Sequence, residues 1–122
     1  MLFIRLTSNL SVAYNRFMDK VFKALADSNR RHLLDSLFQS NGQTLSELVE
    51  HLDMSRQATT KHLRILEDAD LITVVWKGRT KHHYLNTAPI GNIYDRWIGK
   101  FDQNKVKSLT DMKNKLEEEN NE

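Results

Sequence analysis

Apolar residues recur at Val21, Phe22, Leu25 and Ala26, and this spacing predicts a first helix over residues 17–26. Asp27-Ser28-Asn29 interrupts it, and Asp27 or Ser28 can cap the next helix. Leu33, Leu34, Leu37 and Phe38 mark the apolar face of that second helix, over residues 29–39. Ser40-Asn41-Gly42 ends it, with Gly42 or Asn41 suited to the left-handed conformation. Thr44-Leu45-Ser46-Glu47 has the spacing of a capping box, in which hydroxyl and carboxylate each satisfy the other residue's backbone amide. Leu45, Leu48 and Leu52 then give a short third helix. After the tight connection Asp53-Met54, Ser55 caps a fourth helix over residues 56–68.

Beyond that helix the period changes. Leu71 to Trp76 is rich in β-branched residues, and a second extended run covers Thr80 to Leu85. With Lys77-Gly78-Arg79 between them, they predict a β-hairpin with Gly78 at a positive φ. Pro89 opens a final helix whose apolar seam runs through Ile90, Ile93, Tyr94, Trp97, Ile98 and Phe101, then Leu109, Met112 and Leu116. Two short helices joined by a tight turn are the helix-turn-helix signature, and a basic hairpin after the second reads as a wing. The expected fold is therefore mainly α with a small β-hairpin wing, a winged helix-turn-helix. Residues 1–17 lack the clean periodicity that starts at Met18 and read as an N-terminal arm, disordered or an over-extended start. Residues 18–102 form the winged domain with the start of a dimerisation helix, and 103–122 a helical extension with an acidic tail.

The fourth helix carries the chemistry. At about 100° per residue, Ala58, Thr59, His62, Leu63 and Leu66 fall on one side, while Gln57, Thr60, Lys61 and Arg64 fall together on the other. Arg or Lys can donate to guanine, Gln can pair with adenine, and a threonine methyl can touch that of thymine. Residues at the start of such a helix meet base edges, which makes Gln57 and Thr60 the base readers, with Arg56 beside them. Lys61 and Arg64 suit bases or phosphate. The DNA-contacting set is Ser55, Arg56, Gln57, Thr59, Thr60, Lys61 and Arg64 on the helix, with Lys77, Arg79 and Lys81 reaching phosphate or the minor groove from the wing. Trp76 could stack on a base, but core packing is its expected role.

Charge supports this placement. The 122-residue chain has a formal net charge of only +2. Yet 54–66 and 71–86 each hold three Lys or Arg and no acid, while 117–122 hold four acids. A basic middle suits a polyanionic partner. With no cysteine there is no disulfide, thiolate ligand or cysteine nucleophile. No phosphate-cradling loop or nucleophile elbow is present, so no enzyme is expected. No stretch approaches the roughly 18 apolar residues of a bilayer span, and a soluble, cytoplasmic protein without membrane partner or cofactor is expected.

Several stretches together resemble the ArsR family of winged-helix repressors. They are residues 21–27 (Val21-Phe22-Lys23-Ala24-Leu25-Ala26-Asp27), Arg30-Arg31, Leu45-Ser46-Glu47-Leu48 and residues 54–63, then Leu66-Glu67, Leu71-Ile72, Gly78-Arg79 and His83-Tyr84-Leu85-Asn86. They cover residues 18–101 in the family's order. The resemblance implies a homodimer, with first and last helices packed across a two-fold axis, that represses from an imperfect inverted repeat. Phe22, Tyr94, Trp97, Ile98 and Phe101 are the interface residues. Many family members sense metals through cysteine pairs or through His and Asp on the last helix. This chain has no cysteine, and its last helix has no histidine. No metal site is therefore assigned, and the inducer is unknown.

The five histidines give no metal set of their own. His32 and His51 are surface or flanking residues, His62 is expected to bond backbone, and His82 and His83 point to opposite faces of a strand. Two other functions remain open: a winged-helix protein-interaction module without DNA binding, and a metal-responsive repressor using His and carboxylate ligands.

Overall fold

The structure, a computed structural model, describes residues 2–120, with the side chains of 2–11 and 103–106 outside the description. The end of the acidic tail, Asn121 and Glu122, lies outside it too. The chain divides into two compact units, one up to Pro89 and one from Ile90 on.

In the first unit, α1 (Leu2–Leu25) starts well before residue 17, the boundary that periodicity suggests. The stretch read as an arm is helical. Residues 2–25 contain no proline or glycine, and a helix once nucleated extends at little cost. Helix α2 (Ser28–Gln39) is capped by Asp27, whose carboxylate accepts from the Arg30 amide at 3.1 Å. That bond holds the half-buried Asp27 carboxyl below its usual range. Arg30 and Arg31 reach back to the end of α1. Arg30 Nε donates to the Ala24 carbonyl at 2.8 Å, and Arg31 Nη1 to that of Leu25 at 2.7 Å. These bonds satisfy carbonyls that a helix end leaves without partners.

Gly42 takes the left-handed conformation at φ +82° and leads into a strand that the hydrophobic pattern does not reveal, β1 (Gln43–Thr44). It pairs antiparallel with β3 (Thr80–Leu85), which pairs with β2 (Ile72–Lys77), so the wing is a three-stranded sheet in the order β1-β3-β2. The buried Gln43 explains why so short a strand holds. Its amide donates to the carbonyls of Ser36 and Ser40 at 2.9 and 2.7 Å, tying the end of α2 to the sheet.

Helix α3 (Leu45–Glu50) begins with the predicted capping box. Thr44 Oγ1 accepts from the Glu47 amide, and the Glu47 carboxylate accepts from the Thr44 amide, both at 3.3 Å. Ser55 caps α4 (Arg56–Asp68) by accepting from Ala58. The core gathers one face from each element: Val21 and Ala24; Leu33 and Leu37; Leu48; Leu63 and Leu66; then Leu71 and Ile72. Truncating any of these leucines to alanine costs about 2–5 kcal/mol. Contacts with α1, α2 and α3 fix the orientation of α4.

Helix α5 (Ala88–Ile93), which begins at the end of the first unit, has Pro89 in its first turn, as predicted. The single helix expected from there on is interrupted. Tyr94–Gly99 is π-helical, and α6 (Lys100–Asn120) follows. Ile93 and Lys100 keep right-handed dihedrals, so the chain passes through without a break. Each i→i+5 turn takes more residues than an α turn and rotates the apolar seam. Tyr94, Trp97, Ile98, Phe101, Leu109, Met112 and Leu116 are all exposed.

Candidate nucleic-acid interface

The two sides of α4 differ as the helical wheel predicts. Leu63, Leu66 and Thr59 are buried, while Arg56, Gln57, Thr60, Lys61 and Arg64 are exposed. Thr59, expected among the DNA contacts, is not one of them. It is 0% exposed, and its hydroxyl donates to the Ser55 carbonyl at 2.9 Å. It packs the helix onto the core and cannot touch a base. Ser55 is exposed, but its hydroxyl oxygen serves as the helix cap. Arg56 Nη1 donates to Ser46 Oγ at 3.3 Å, linking the two helices of the motif. The Thr60 hydroxyl donates to the Arg56 carbonyl at 2.9 Å.

The wing turns at Gly78-Arg79. Gly78 has φ +62°, and a positive φ at the first central residue of a two-residue turn fits the twist of a hairpin. Strand alternation then sorts the wing's cations. Lys81 pairs across the ladder with Trp76, on the face that also carries Val74 and His83. A groove of about 330 Å³ runs between this face and α4, bordered by Arg56, Thr60 and Arg64 on the helix and by Trp76, Arg79 and Lys81 on the wing. Lys77 is placed elsewhere. Its ammonium lies 5.5 Å from the centre of the Tyr84 ring, outside that groove. Gln57 and Lys61 are exposed outside the groove lining.

Three features escape a reading of the chain. Trp76 is 64% exposed, which overturns its assignment to the core. Along β2 the same face buries Ile72, half-buries Val74 and exposes Trp76, so the strand outruns the core. Alternation signals which face Trp76 takes, but not where the core stops. Glu67 meets Lys81 at 3.8 Å, bringing an acid to a cationic surface. His62 bonds a side chain rather than backbone: its Nδ1 accepts from Arg30 Nη1 at 3.3 Å.

His82 and His83 both fasten β3 to the start of the helix-turn-helix. Their Nδ1 atoms donate to the carbonyls of Gly42 and Gln43 at 2.8 and 2.9 Å. Burial pushes the His83 imidazole below the usual histidine range, and its bond to Gln43 opposes this only in part. Among the described residues, no group of three or more His, Cys, Asp or Glu is placed to hold a metal ion. No described helix is long and apolar enough to cross a membrane.

Comparison with known proteins agrees with this geometry. A family profile described as a helix-turn-helix domain matches residues 25–75. The chain is 43% identical over 86 residues to YuzN of Bacillus subtilis, described as an uncharacterized HTH-type transcriptional regulator, covering 66% of this chain and 94% of YuzN. It is 37% identical over 70 residues to the transcriptional repressor SdpR of the same organism, covering 57% of this chain and 77% of SdpR. Among solved structures, an ArsR-like transcriptional regulator from Rhodococcus is 28% identical with a TM-score of 0.64, covering 84% of this chain and 94% of the other.

Proposed function

Since the chain belongs to the ArsR family of winged helix-turn-helix transcriptional regulators, and so is a DNA-binding regulator, we propose that it is a homodimeric repressor acting on an imperfect inverted repeat. The observation that carries this reading is the outer face of α4. Gln57, Thr60, Lys61 and Arg64 stand exposed together, with no acid among them. In the major groove, Gln57 and Thr60 read base edges, with Arg56 beside them. Lys61, Arg64, Arg79 and Lys81 hold phosphates, and Lys77 does so from the far side of the wing.

The dimer is supported by apolar exposure in each unit taken separately. Phe22 on α1 is exposed, and so are Tyr94, Trp97, Ile98 and Phe101 on the last helix. Large apolar side chains left exposed in succession along a helix point to an interaction site. A two-fold dimer places its recognition helices about 34–36 Å apart, one turn of DNA. Residues 18–102 carry the DNA-binding and first dimerising elements, and 103–120 extend the helix. SdpR is described as a repressor, which favours repression here.

Fluorescence anisotropy of the protein with its own upstream DNA and with a random duplex, across a salt series, tests this. The expected result is tighter binding to the upstream DNA, with affinity falling steeply as salt rises. Absence of binding to either duplex at low salt would overturn the DNA-binding reading and favour a protein-interaction module.

A further inference from the structure

Trp76 is a large apolar side chain, 64% exposed, on a surface otherwise suited to a polyanion. It is held in place on a paired strand, opposite Lys81. The groove it borders has two chemistries. Its apolar lining is Leu45, Leu63 and Trp76, and its cations are Arg56, Arg64, Arg79 and Lys81. The one acid there, Glu67, faces Lys81 at 3.8 Å.

A sugar–phosphate strand combines complementary chemistries, with anionic phosphates separated by deoxyriboses rich in C–H surface. When a helix lies in the major groove and a wing reaches beyond it, one backbone strand must pass between them. We propose that this groove holds that strand, with its cations on the phosphates and the Trp76 ring packed against deoxyribose. This rests on the DNA-binding reading above. It makes Trp76 a DNA-contacting residue of the wing that acts through apolar contact and not through charge. Stacking on a base is the less favoured mode, because duplex bases are already stacked and extruding one costs a few kcal/mol. A sugar contact carries no sequence information, so Trp76 contributes affinity without specificity.

The test compares the parent protein with Trp76→Ala and Trp76→Phe on upstream and random duplexes across a salt series. Trp76→Ala should weaken both complexes about tenfold, as expected for losing some 50–60 Å² of apolar contact. It should leave their ratio and the salt slope unchanged, since no phosphate contact is lost. Trp76→Phe should keep affinity within about threefold of the parent, because a smaller ring retains much of the area. Of the two tryptophans, Trp76 should account for the fluorescence change on binding, so Trp76→Phe should lose it. Trp76→Ala affinity within about twofold of the parent, a difference too small for a buried indole, would overturn the proposal, as would a loss confined to the upstream duplex. Equal DNA-induced quenching in the parent and Trp76→Phe overturns it without relying on the alanine variant. If the parent itself binds neither duplex, the DNA-binding reading falls, and this inference with it.

Discussion

Helix α4 and the last helix start from similar patterns and end in opposite states. Both carry apolar residues three and four apart. In α4 those residues, Leu63 and Leu66 among them, are buried, and the polar side faces outward. In the last helix the apolar side itself is exposed, with Trp97 at 51% and Phe101 at 64%. A periodic pattern thus states that a face will be covered but not by what. In α4 the chain supplies the cover, leaving a stable platform for a polar reading surface. In the last helix the proposed cover is a second copy.

The strongest way to break this contrast is Trp97→Glu. A charge in the proposed interface should convert dimers to monomers by sedimentation, and operator affinity should fall about 10²-fold or more as the second half-site contact is lost. Unchanged dimer mass would remove the seam from the interface. The two sides of α4 can be separated next. Gln57→Ala should lose about 1–3 kcal/mol of discrimination at one base position and leave thermal stability alone. Thr59→Val should do the reverse, lowering stability by about 1 kcal/mol through its lost hydrogen bond with sequence preference intact. If Thr59→Val altered base preference, burial would not be its main role.

The smallest effect concerns the link between wing and helix-turn-helix. The folded His83 imidazole titrates below its unfolded value. Its contribution is therefore fully present above the unfolded pKa of about 6.5 and is lost as pH falls from there through the folded pKa, since the unfolded chain binds the proton more readily. The thermal midpoint should drop across that window, and less so in His83→Asn, which keeps a side-chain donor. The same pH slope in both proteins would free His83 of this role.

Much of the interface is legible in the chain because it depends on local rules. The Thr44–Glu47 capping box, the Ser55 cap and the polar stripe of α4 require only short spacings and fixed helix geometry. Thr59 shows the limit of listing residues by chemical type: the wheel puts it on the inner side, and burial confirms that place. Strand β1 was not legible, since two residues held by the side chain of Gln43 leave no periodic trace.

The sequence by itself determined the helix-turn-helix, the basic hairpin and the acid-free face of α4, because propensity, capping and periodicity act over a few residues. Only the tertiary structure decided that a third strand joins the wing, that Lys77 leaves the groove for Tyr84 and that Trp76 stands clear of the core. Those outcomes depend on where the core ends and which side chains meet across long separations. Local pattern carries no record of either.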